Sequence, residues 1–254
     1  MSLLSSLRSR QNRVGASASS RPRWLRRGLS ALTALGALGV LAVVTLAVGT
    51  RINPNREHAV GEVIDRLNGV AIHYNGGVNT NVGRRLTDDG YNLGLQYQCV
   101  EFVKRYYYQR FGHKMPDSYG HARDFFDADV ADGGFSAKRG LLQFHNGGAA
   151  APQPDDLIVF APSAFNRYGH VAIVASVDPA GVVIAQQNPG PFGASRERLA
   201  FDAARPTRVD NARVLGWLRL PPPAPDAAAL ASVSTQYPPE MGPAVPTSQV
   251  TENR

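Results

Sequence analysis

With 254 residues and 43% apolar content, the chain can build one ordinary folded domain plus extensions. Its net charge of +7 is unevenly spread, because residues 1–51 carry eight arginines and no acid, leaving 19 bases against 20 acids in the remainder. The folded part is therefore not basic and lacks the electrostatic footprint of a nucleic-acid binder. A single cysteine, Cys99, excludes an intramolecular disulfide, a multi-cysteine zinc site and an iron–sulfur cluster, and no motif calls for a cofactor or a metal.

The run GLSALTALGALGVLAVVTLAVGT, residues 28–50, is 23 residues without a charge. As a helix it spans a hydrocarbon core of about 30 Å. Arg8, Arg10, Arg13, Arg21, Arg23, Arg26 and Arg27 precede it, with Trp24 as an interfacial residue. The positive-inside rule then puts segment 1–27 in the cytoplasm and the rest of the chain outside, as a single-pass protein of the cytoplasmic membrane. Ala47-Val48-Gly49 offers the alternative of a cleaved signal peptide, but the apolar run exceeds the usual h-region of about 7–15 residues. A buried core helix is disfavoured, since the segment has no polar face.

Residues 51–61 read as a polar connector and 62–220 as the folded domain. From Pro221 the composition turns to Pro, Ala and Ser, predicting a disordered tail over 221–254. Within the domain, Val100, Val103, Tyr107 and Phe111 lie at the spacing of one helical face, so a helix starts at or just before Cys99 and stops at Gly112. A second short helix is expected over 119–128. Strands are expected at 156–160, 170–177, 181–187 and 209–220, with Asp178-Pro-Ala-Gly181 turning one hairpin. Residues 133–153, Gly-rich and without clear periodicity, read as a loop over the cleft. Helices first and an antiparallel sheet afterwards define an α+β domain.

Cys99 is either a small buried core residue or a nucleophile. Its place in the first turn of a helix favours a thiolate, and the preceding loop Gly90–Gln98, with two glycines and several amides, suits backbone held near a substrate. Imidazole is suited both to take the thiol proton and to return it to a leaving amine. His58, His73, His113, His121 and His145 lie in connector, loop or helix-edge positions, whereas His170 opens an apolar strand and is held by rigid structure. Gln186, Gln187 and Asn188 end the next strand and offer amides to orient it. A strict two-residue turn puts Gln187 on the His170 face; a three-residue loop puts Gln186 and Asn188 there.

The ordered segments Gln98-Cys99-Val100-Glu101-Phe102, Gly169-His170-Val171-Ala172-Ile173-Val174 and Ile184-Ala185-Gln186-Gln187-Asn188 resemble the CHAP family of cysteine, histidine-dependent amidohydrolases and peptidases. They are most similar to the amidase domains of bifunctional glutathionylspermidine synthetase/amidases. The resemblance covers roughly 62–220. It implies a papain-like fold, N-terminal helices packed on an antiparallel sheet, with Cys99 as nucleophile, His170 as base and Gln186 as third member. The related motif has glutamate where this chain has Gln186, and an amide orients imidazole without stabilising imidazolium as a carboxylate does. Gln98 is placed near the oxyanion, and Glu101 and Asn188 beside the reacting residues; Glu101 reads equally as a solvated helix residue.

Three functions follow from the resemblance and the topology: a peptidoglycan amide hydrolase, an amidase for glutathionylspermidine-like small molecules, and a silent binding domain that has lost the carboxylate. No oligomeric state follows. Gln186→Glu is expected to preserve or raise activity, and a large loss in an amide-hydrolysis assay would reject Gln186 as the orienter.

Overall fold

The computed structural model describes residues 23–164 and 166–222. Most of the basic segment and nearly all of the expected tail lie outside the described residues. The chain divides into two compact units at Ile52/Asn53.

The first unit contains α1 (Arg23–Gly49), a helix of 27 residues. Among the described residues it is the one helix long and apolar enough to cross a membrane. A signal sequence passes the same test of length and composition.

The second unit begins with two hairpins, β1 (Val63–Leu67) with β2 (Val70–His73) and β3 (Arg84–Leu86) with β4 (Asn92–Leu95). Then come α2 (Cys99–Phe111), β5 (Gly134–Ser136), β6 (Leu141–His145), β7 (Leu157–Phe160), β8 (His170–Asp178), β9 (Gly181–Ala185), β10 (Arg196–Asp202), β11 (Arg205–Val209) and β12 (Val214–Arg219). The last eight strands form one antiparallel sheet in the order β11-β10-β9-β8-β7-β12-β6-β5. Both faces of the sheet are covered. Leu157, Val159, Val171, Ile173 and Ala185 pack under α2, while Ile158, Ala172, Val174, Ile184 and Trp217 pack on the other side. This is a mixed helix-and-sheet domain with a single α-helix among its described residues.

Helix α2 departs from the simple amphipathic reading. Glu101, Lys104 and Arg105 are as buried as Phe102, Val103, Tyr106 and Tyr107, whereas Phe111 is exposed. The helix is sandwiched between β8 on one side and β2 and β4 on the other, so little of its first nine residues meets solvent. Gly112 ends it at φ 64°, with its N–H returning to Tyr108 O.

Four expectations require correction. Helices do not come first: two hairpins precede α2, which alone among the described residues of the second unit is α-helical, because the charged and glycine-containing segment before it pairs as short strands. The helix over 119–128 is a single 3-10 turn, Ala122–Phe125, because Asp124 accepts from the His121 N–H at its start and Phe126 is already extended. The segment 133–153 is not a plain loop: it supplies β5 and β6. There Gln143 is fully buried at a position where alternation called for an apolar side chain, its amide bonded to the Asp127 backbone. Residues 53–61 pack as part of the domain, with Asn53 accepting from the Tyr74 hydroxyl, Asn55 donating to Pro191 O and Gly61 N–H to Tyr74 O.

The turn before β8 rests on one glycine. Gly169 has φ +76°, and a Cβ there would lie 2.7 Å from the Phe160 carbonyl. Both the backbone region and the contact exclude a side chain immediately before His170. Gly169→Ala is expected to cost about 2 kcal/mol, to be read as a lower Tm with a weaker hold on His170.

Candidate active site

The site begins at the amino end of α2. Cys99 is the first helical residue, so its backbone N–H has no intrahelical acceptor. The side chain is buried, 6% exposed, against the sheet. Backbone N–H groups of Val171, Val100 and Cys99 itself contact the sulfur. Burial outweighs them and pushes the thiol up to about 11. The expectation that a helix start would favour thiolate is thus reversed by desolvation.

His170 opens β8, one residue before the Val171 amide that touches the thiol, and its ring faces the side of the sheet bearing Phe160, 5.8 Å between centroids. No direct hydrogen bond joins Cys99 to the imidazole among the described residues. Burial pushes His170 down to about 4, against the opposing effect of its bond to Gln186; the positive charge of Arg213 adds to the fall. Thiol and imidazole therefore rest neutral at pH 7.

The amide facing His170 is Gln186, with its Oε1 2.9 Å from Nε2. This selection comes from a combination outside the two simple hairpins. The turn is the strict two-residue one, pairing Asp178 with Gly181, which alone would present Gln187. Between Val174 and Ser176, however, β8 carries an extra residue, Ala175, and the register beyond it shifts by one. Gln186 then shares the His170 face, and Gln187 turns toward α2.

Gln187 is wholly buried in a polar network. Its Nε2 donates to Glu101 Oε2 (2.9 Å) and Gln98 O (3.1 Å), and its Oε1 accepts from the His73 N–H (2.8 Å). Glu101 is not a solvated helix residue. It is fully buried, with Arg105 Nε at 2.6 Å and Arg85 Nη1 at 3.2 Å.

Gln98 is committed elsewhere than the oxyanion position. Its Nε2 donates to Val78 O (3.2 Å) and Thr80 O (2.6 Å), and its Oε1 accepts from Asn188 Nδ2 (2.7 Å), which occupies both amide hydrogens. Asn188, at φ +63°, also donates to Val78 O, and its Oδ1 is buried without a partner among the described residues. A cavity of about 330 Å3 opens on the His170 face, lined among others by His170, Gln186, Asn188, Glu197 and Arg213. Glu197, on β10, was missed by the sequence reading; it reaches Gln186 Nε2 at 3.1 Å. The alternation in Arg196-Glu-Arg-Leu-Ala200 signals a strand, but nothing local signals its register against β9.

Cys99 at the helix start touches the Val171 amide, one residue from the strand-borne His170, and the Gln186 amide lies behind the imidazole. The CHAP-domain pattern matches residues 88–188, and this segment is a CHAP domain, a match that implies the amidase/peptidase hydrolase class. The chain is 36% identical over 106 residues to a trypanothione synthetase of Crithidia fasciculata, and 27% identical over 144 residues to a glutathionylspermidine synthase of the same organism. These alignments take in 42% and 52% of this chain but only 16% and 20% of those proteins. Among solved structures, a wild type endolysin, LysIME-EF1, overlaps 59% of this chain and 62% of its own at 20% identity and a TM-score of 0.31, too loose a fit to bear on function.

The resting charges fix the sign of two pH effects. With His170 lowered from 6.5 to about 4, its stability contribution is present above pH 6.5 and lost as pH falls toward 4. With Cys99 raised from 9.0 to about 11, the contribution is present below pH 9 and lost as pH rises toward 11. The fall in Tm between pH 6.5 and 4 is expected to be shallower in His170→Gln. Alkylation of Cys99 by iodoacetamide is expected to accelerate above pH 9 without a plateau at acid pH; such a plateau would reveal a preformed thiolate–imidazolium pair.

Proposed function

We propose that this protein is a cysteine-dependent amide hydrolase of papain-like design, with Cys99 as nucleophile, His170 as base and Gln186 as its orienter. The observation that carries the reading is the Gln186 Oε1 to His170 Nε2 bond at 2.9 Å. A carbonyl oxygen only accepts, so Nε2 carries the proton and Nδ1 is left as the free base. Because both groups rest neutral, Cys99 gives up its proton to His170 as its sulfur attacks the substrate carbonyl. The oxyanion is met by the Cys99 N–H at the start of α2. His170 then protonates the departing amine, and a water activated by the same nitrogen releases the acyl group.

For the substrate, we favour peptidoglycan amides. The support is topological: arginines followed by a long apolar helix are the pattern that, under the positive-inside rule, goes with a basic segment inside and a domain outside the cytoplasmic membrane. A second reading is carried by the alignments to proteins named for trypanothione and glutathionylspermidine synthesis, which point to a γ-glutamyl or polyamine amide.

Full-length protein in detergent, wild type and Cys99→Ala, should be incubated with peptidoglycan and separately with glutathionylspermidine. Cys99-dependent release of new amino groups from peptidoglycan alone is expected. Release from glutathionylspermidine alone would transfer the assignment to the second reading, and no release from either would support a silent binding domain. A reporter fused to the C-terminus is expected to signal outside the cytoplasm; signal inside would defeat the wall assignment.

A further inference from the structure

An amide in the third position carries a liability that a carboxylate does not. Rotated by half a turn, Gln186 would present its NH2 to His170, hold the ring with Nε2 unprotonated, and move the proton to Nδ1, the nitrogen that must accept from the thiol. The orientation that works has to be enforced from behind. Here Gln186 Nε2 donates at 3.1 Å to the Ala194 carbonyl and at 3.1 Å to Glu197 Oε2, and both partners only accept when Glu197 is ionised. The backbone around them is paired. Gln186 N–H donates to Ser195 O (2.9 Å), and Glu197 pairs with Ile184 two residues before Gln186, on the same face of β9 and β10.

We propose that Glu197 is a positioning residue that locks the Gln186 amide with its oxygen toward His170, and so sets which imidazole nitrogen is free to take the Cys99 proton. Together the pair does what a single glutamate does elsewhere: the amide makes the contact, and the carboxylate one bond further out supplies the direction and a negative charge. That charge lies on the same cavity as Arg213, whose own charge disfavours imidazolium.

Because of Glu197, a loss in Gln186→Glu rejects Gln186 as the orienter only when the variant that also carries Glu197→Gln loses activity as well. In the wild-type background the new carboxylate would lie against Glu197, and two carboxylates in contact compete for a proton. The favourable variant is the swap, Gln186→Glu with Glu197→Gln.

The inference rests on the assignment of His170 as base, so its test uses a readout that needs no substrate. In full-length protein in detergent at pH 7, the imidazole 15N shifts of His170, identified by their loss in His170→Gln, should report a single Nε2–H tautomer. Glu197→Ala, which leaves only the Ala194 acceptor, is expected to give mixed tautomers and roughly tenfold slower hydrolysis at unchanged KM and Tm. The swap is expected to restore the single tautomer and to match or exceed wild-type turnover. An unchanged tautomer in Glu197→Ala, a loss of Tm that accounts for the loss of activity, or an equal cost of removing Glu197 in the Gln186→Glu background would overturn the inference. Hydrolysis that survives in Cys99→Ala would instead defeat the functional reading, leaving the tautomer result to stand by itself.

Discussion

One inserted residue decides what faces the imidazole. Ala175 bulges out of β8, and every position beyond it pairs one step away from where the tight Asp178–Gly181 turn would have left it. Because side chains alternate across a sheet, a one-residue change moves a whole strand end from one face to the other. Without the bulge Gln187 would meet His170, and Gln186 would be pressed into the core beneath α2. With it, Gln186 reaches His170 and stands beside Glu197, while Gln187 enters the buried network that ties the helix to the sheet.

That network explains how the start of α2 and the end of β9 are held together although they come from different elements. Gln187 bonds the Gln98 carbonyl, immediately before Cys99, and the Glu101 carboxylate, half a turn after it. Glu101 is in turn compensated by Arg105 and Arg85, so the buried charge is paired. On the far side of the same loop, Asn188 bonds the Gln98 side chain. Three consecutive residues just after β9 therefore bond in three directions: Gln186 to the imidazole, Gln187 to the helix start, and Asn188 to the loop before it.

The fold was legible where the pattern was strong and local. The start of α2 at Cys99, its stop at Gly112 and the β7, β8, β9 and β12 runs all follow from apolar periodicity and turn residues. The remainder was hidden for identifiable reasons. Strands β5 and β6 are short, and the buried Gln143 interrupts their alternation. The hairpins before α2 contain charged and glycine residues rather than an apolar run. Helix α2 buries Lys104 and Arg105, which no amphipathic template anticipates. At the site, residue types were readable but their facing was not, because a bulge leaves no mark in composition. Glu197 was invisible for the same reason: its relevance lies entirely in the register of β10 against β9.

The burial of Cys99 bears on more than the proposed reaction. Peroxides and disulfides react with thiolates far faster than with thiols. A sulfur that burial keeps protonated is shielded from both, even with no second cysteine to rescue it. The same shielding makes the residue a poor target for reagents that seek out acidic thiols. Under the proposed mechanism, covalent inhibitors of this centre would need to imitate the substrate well enough to draw the proton onto His170 before they react.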